Sequence, residues 1–99
     1  MKPTEFARYL TEFLTTYLSD HKNVSKNTIL AYRDTFKLLL RYCQNVKGIP
    51  PERIFMETLT CRVINDFLDW LETERKCCIS TRNQRLAAIH SFFRYAQGE

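Results

Sequence analysis

This sequence predicts an all-α bundle of four helices, and three observations predict it. Apolar residues recur at three- and four-residue steps in four separate stretches. No segment alternates apolar and polar residues convincingly, and the stretches are separated by prolines, glycines and capping residues. With 99 residues, 44% of them apolar and only two glycines, the chain has core material for one compact domain over residues 1–99 and no room for a second.

The first stretch sets Phe6, Leu10, Phe13, Leu14, Tyr17 and Leu18 on one face, with Thr4 at the N-cap position beside Glu5. It predicts a helix from about Thr4 to Ser19. Ser25 caps the second and longest helix, whose stripe Ile29, Tyr32, Phe36, Leu39, Leu40, Cys43 and Val46 ends near Gly48. Gly48-Ile49-Pro50-Pro51 cannot continue it, since proline lacks an amide donor and restricts the residue before it, so a loop runs to about Leu59. Thr60 caps a third helix that turns Ile64, Phe67, Leu68 and Leu71 inward and Asp66, Asp69, Glu72 and Glu74 to water. After Cys77-Cys78-Ile79, Ser80 is the expected cap of a fourth, with Leu86, Ile89, Phe92, Phe93 and Ala96 inward and Gly98 as its stop. Connections of unequal length predict packing at mixed angles. Phe13, Ile29, Phe36, Phe67, Leu71, Leu86, Ile89 and Phe93 sit centrally in their stripes and are expected to be buried.

Charge is sorted unevenly along this chain. Ser25 to Lys47 carries Lys26, Arg33, Lys37, Arg41 and Lys47 against Asp34 alone, and Ser80 to Gly98 carries Arg82, Arg85 and Arg94 with no acid. The formal net charge of +4 therefore understates two local surfaces. Localised basic faces are the footprint of a polyanionic partner. At helical pitch Lys26, Arg33, Lys37 and Arg41 fall in one quadrant of the second helix, with Asp34 at its edge. Such a ridge reads either as ordinary solubilising charge or as a DNA contact. The fourth helix tips the balance: Ser80-Thr81-Arg82-Asn83-Gln84-Arg85 gathers hydroxyl, amide and guanidinium donors at a helix start, where free amides and the dipole already favour phosphate. Asn83, Gln84 and Arg85 can also make paired hydrogen bonds to base edges in a major groove.

Other classes find little support. No apolar run approaches the length that crosses a bilayer, and the N-terminus lacks a secretory apolar region, so a cytoplasmic location is expected. Cys43, Cys61, Cys77 and Cys78 are expected to be reduced; none has metal-ligand spacing with a histidine, and neither a metal nor another cofactor is expected. There is no glycine-rich phosphate loop and no H-E-x-x-H helix, and no nucleophile is placed to pair with His90. No catalytic residue is assigned.

Three blocks then combine: Ser25-x-x-Thr28-Ile29-x-x-Tyr32-Arg33, Ile64-x-x-Phe67-Leu68-x-x-Leu71-Glu72, and Ser80-Thr81-x-Asn83-x-Arg85-Leu86-x-x-Ile89-x-x-Phe92-Phe93-x-Tyr95-Ala96. From about Phe6 to Ala96 the chain resembles the N-terminal SAM-like, core-binding domain of phage integrases, the tyrosine site-specific recombinases. The resemblance implies a compact SAM-like bundle that closes on DNA together with a following catalytic domain. That domain carries arginines, an H-x-x-R element and a nucleophilic tyrosine, and is expected to lie outside this chain. His90-Ser91-Phe92-Phe93-Arg94 has the wrong spacing for the H-x-x-R element, and Tyr32 and Tyr95 read as packing residues with a polar edge.

The resulting expectation is a DNA-binding domain of a recombinase that grips duplex DNA mainly through phosphates. The contact residues are expected to be Lys26, Asn27, Thr28, Arg33, Lys37, Arg41, Thr81, Arg82, Asn83, Arg85 and Arg94. The isolated domain is expected to be a monomer that meets further copies of the recombinase on DNA and has no membrane partner. Two alternatives stand beside it. One is a helical protein-interaction module whose basic face meets an acidic protein. The other is a stand-alone helix-turn-helix binder, against which the Glu74 to Ile79 connection lacks the glycine often found in that turn.

Overall fold

The computed structural model describes residues 5–21 and 24–98, and all regular structure among them is helical. Helix α1 (Glu5–Glu12) runs straight into a π-helix, Phe13–His21. Helix α2 (Lys26–Asn45) follows, then single 3-10 turns at Pro51–Arg53 and Met56–Thr58, then α3 (Cys61–Glu74) and α4 (Ile79–Ala96). The all-α expectation holds. The expected Thr4 cap lies outside the described residues.

The first helix departs from its expected winding halfway along. Phe13 and Leu18 are both almost fully buried, yet five residues of α-helix would turn them well apart. A π-turn, closed by bonds five residues apart, stacks i and i+5 on one side and buries both.

Helix α2 starts as the sequence predicts. Ser25 is extended, and its Oγ accepts from the Thr28 amide at 3.2 Å. Its regular part stops at Asn45, and Val46, expected to face inward, is half exposed in the cap position. Gly48, at φ +70°, takes the left-handed turn while the Ile49 amide donates to the Cys43 carbonyl. Thr60 caps α3, accepting from the Val63 amide at 3.2 Å, and Ile64, Phe67, Leu68 and Leu71 are all buried.

The start of α4 corrects the sequence reading. Cys78 holds the N-cap position, extended at φ −77° and ψ 165°, so Ser80 lies inside the first turn. The reason is upstream. Lys76 adopts φ +53°, and the Cys77 amide then reaches the Leu71 carbonyl at 3.0 Å, which ends α3 and starts the next helix two residues sooner. A lysine here does the job that glycine usually does in such a turn.

Aromatic packing centres on Phe92. Its ring sits 5.6 Å from Phe6, 5.5 Å from Phe13 and 5.2 Å from Phe36, each crossing at a steep angle that suits the ring quadrupoles. One ring thus ties α4 to α1, the π-helix and α2. Phe13, Phe36, Phe67, Leu71 and Ile89 are buried as expected, whereas Ile29, Leu86 and Phe93 are only partly buried. Leu86 and Phe93 line an open groove with Ile64 and Leu59, so the centre of the α4 face lies one residue before Phe93.

Candidate nucleic-acid interface

Helix α2 supplies the positive charge. Lys26, Arg33, Lys37 and Arg41 are all exposed, and among the described residues none of them is ion-paired. Lys47, also in the basic stretch, turns the other way, its Nζ 3.2 Å from Asp66 Oδ2; that hydrogen bond raises the ammonium pKa above its usual value. Two grooves flank the helix. One, of about 450 Å³, has an apolar floor including Leu10, Leu14 and Leu40, with Arg33 and Lys37 on its rim. The other, of about 380 Å³, lies between the first halves of α2 and α4.

That second groove is lined by Asn27, Thr28, Ala31, Tyr32, Thr35, Gln84, Arg85 and Ala87, with no carboxylate among them. It brings Asn27 and Thr28 together with Arg85, which stand far apart in the sequence. Tyr32 and Thr35 were not singled out as contact residues, although their spacing from Thr28 by four and seven residues marks one helix face.

Arg85 occupies this groove in a way the sequence did not reveal. Its Nη1 donates to the Ala31 carbonyl at 3.3 Å and to Thr35 Oγ1 at 3.0 Å, and its Nη2 donates to Asp34 Oδ2 at 3.3 Å. The guanidinium is therefore a bridge from α4 to α2, and a planar fork can serve three acceptors at once where an ammonium cannot. Arg82 is likewise engaged, on the other side of α4. Its Nη2 lies 3.5 Å from Asp69 Oδ1 and its Nε 2.9 Å from Glu72 Oε1; the second is an ion pair by distance whose N–H does not align as a hydrogen bond.

The remaining expected contacts are scattered. Asn83 is exposed beside Gln84. Thr81 is partly buried, with its hydroxyl 3.3 Å from Cys78 Sγ. That hydroxyl and the first-turn amides hold the Cys78 thiol below its usual pKa, whereas burial pushes the Cys77 thiol up. Arg94 sits in the last turn of α4, at the opposite end from Arg82 and Arg85. Of the eleven residues, four thus form an exposed ridge and Asn27, Thr28 and Arg85 line one groove, while Thr81 and Asn83 lie outside that groove, Arg82 turns to α3 and Arg94 stands at a distance.

A family model described as the phage integrase N-terminal SAM-like domain matches residues 10–99. The chain belongs to this family. Among similar proteins are two from Sinorhizobium fredii (strain NBRC 101917 / NGR234). "Putative integrase/recombinase y4rC" is 40% identical over 98 residues, which is 99% of this chain and 30% of that protein. "Putative integrase/recombinase y4rD" is 35% identical over 89 residues, which is 90% of this chain and 32% of that protein. The chain therefore spans about a third of the length of these relatives. No solved structure is a significant match. Among the described residues no helix is long and apolar enough to cross a membrane, and no cluster of side chains could hold a metal ion.

Proposed function

We propose that this chain is the N-terminal DNA-gripping unit of a site-specific tyrosine recombinase, acting in DNA integration and recombination. It holds duplex DNA mainly through phosphates, with the starts of α2 and α4 nearest the groove, and meets other copies of the recombinase on that DNA. The observation that carries this reading is the exposed ridge of Lys26, Arg33, Lys37 and Arg41, beside a groove lined with hydroxyl and amide groups and the Arg85 guanidinium, itself paired with Asp34. Family membership and relatives named as integrase/recombinases support it.

Strand cleavage is assigned outside these 99 residues. None of the tyrosines stands in a nucleophile motif, and His90 and Arg94 are spaced too widely for the H-x-x-R element. Within this unit the division of labour is positional: ridge cations neutralise phosphates, Asn27 and Gln84 offer hydrogen bonds at the groove, and Arg85 holds the two helices at their separation.

Fluorescence anisotropy with duplex DNA at several salt concentrations tests the reading. Wild type should bind in a salt-dependent manner, and Lys37→Ala should weaken every duplex similarly while flattening the salt slope by about one unit. Absence of salt-dependent binding to any duplex would sink the proposal and leave the ridge to an acidic protein partner.

A further inference from the structure

The groove between the first halves of α2 and α4 carries a pattern that charge neutralisation alone does not use. Asn27 stands on one wall and Gln84 on the other, both exposed and, among the described residues, neither bonded to another side chain. An alanine follows each amide at helical pitch, Ala31 four residues on in α2 and Ala87 three residues on in α4, and both alanines are exposed in the same groove. Each helix thus presents an amide and, about one turn along, a bare methyl. Nothing larger than a methyl at these two positions keeps the walls low enough for a base edge to approach.

Arg85 is the residue type that reads guanine, and it is already committed. Both terminal nitrogens of its guanidinium donate to α2, Nη1 to the Ala31 carbonyl and Thr35 Oγ1, and Nη2 to Asp34 Oδ2. The paired contact to guanine needs two guanidinium N–H groups aimed together at O6 and N7, so making it would break the bridge between the helices. What remains on offer is amide chemistry. A carboxamide sets a donor beside an acceptor. Adenine presents the matching N6 donor and N7 acceptor, whereas guanine presents two acceptors and leaves the amide oxygen without a partner. The Asp34 carboxylate, of the type that accepts from the cytosine amino group, is held by Arg85 and does not line the groove. The alanine methyls suit the thymine C5 methyl, which cytosine lacks.

We infer that this groove is a sequence-reading site selective for A·T pairs approached from the major groove. Asn27 and Gln84 are its specificity-determining residues, Ala31 and Ala87 its methyl contacts, and Arg85 a positioning residue that sets the two walls at their separation. The inference rests on the DNA-gripping reading above and adds which base pairs the grip favours.

The test is fluorescence anisotropy at low salt with two duplexes of equal length, one of A·T pairs only and one of G·C pairs only. Wild type should bind both in a salt-dependent manner and prefer A·T by about tenfold, within the worth of one good paired contact. In the double variant Asn27→Ala, Gln84→Ala, which should melt like wild type because both side chains are exposed, the ratio of the two affinities should fall close to one. Exchanging adenine for 7-deazaadenine removes the N7 acceptor without touching the protein and should abolish the preference as well. Equal, salt-dependent binding of both duplexes by wild type would overturn the selectivity and leave the DNA grip standing. So would a preference that survives either change, since it then comes from the deformability of the A·T duplex and not from the amides. If neither duplex binds, the DNA grip itself fails and this inference falls with it.

Discussion

Replacing Arg85 by alanine removes three hydrogen bonds, and their surroundings set the cost. The Ala31 carbonyl keeps a second donor, because Thr35 Oγ1 also donates to it at 3.1 Å. Asp34 is more than half exposed and regains water when its partner leaves, so the ion pair itself contributes at most about 1 kcal/mol. What is lost outright is the donor to the buried Thr35 hydroxyl and the packing of the Arg85 stem, whose side chain is 19% exposed. These terms add to about 1 to 2 kcal/mol, well short of the value for orphaning a buried charge. In a domain of this size the melting temperature should fall by roughly 5 to 15 °C in a calorimetric or circular-dichroism melt. Arg85→Lys restores the charge without the fork and should recover only part of the loss. A variant that melts like wild type would show that the guanidinium does not hold α4 against α2. A large loss of affinity confined to one DNA sequence, at unchanged stability, would instead place Arg85 at a base edge.

Phe92→Ala should cost about 3 to 5 kcal/mol, comparable with the whole stability of a small domain, whereas Phe93→Ala should cost clearly less because Phe93 lines an open groove; urea unfolding compares the two. Burial raises the pKa of Cys43 and of Tyr42, and hydrogen bonding raises that of Lys47. The unfolded chain therefore loses these protons first. Their contribution should be intact at neutral pH and fall away as pH rises beyond about 8.5, first through cysteine and then through tyrosine and lysine. A flat profile of melting temperature against pH in the alkaline range would contradict this. Cys78 should alkylate well ahead of Cys77 with iodoacetamide at mildly alkaline pH, since its thiol is lowered and exposed while that of Cys77 is raised; peptide mapping reads the order.

The four helices were legible because each buries one stripe, and stripes show in the spacing of apolar residues. Ser25 and Thr60 were legible as caps because the residue type announces the role. Cys78 was not, since cysteine is no customary cap and the turn that places it depends on Lys76 at a positive φ. The π-winding was hidden for a related reason. Phe13 and Leu14 are adjacent, as are Tyr17 and Leu18, so either winding finds an apolar residue to turn inward. With Phe92 and Phe93 adjacent, the expectation set Phe93 at the centre of the α4 face, one residue too far along. At the site, the ridge followed from helical pitch alone. The commitments of Arg82 and Arg85 rest on carboxylates and a carbonyl from other helices, which only the tertiary structure brings into range.

The pairing of Arg82 with Asp69 and Glu72 means that this protein supplies some of its own counterions. A small cation displaced from DNA is released into solution and gains entropy, but a carboxylate on α3 stays tethered when its arginine turns away. Phosphate contact at Arg82 would thus be an exchange of one anion for another, with little net gain from charge. Among the described residues the ridge cations of α2 carry no such internal partner, so if the proposed DNA contact is made, four phosphates would be neutralised at full effect, corresponding to a log–log salt slope of about −3.6.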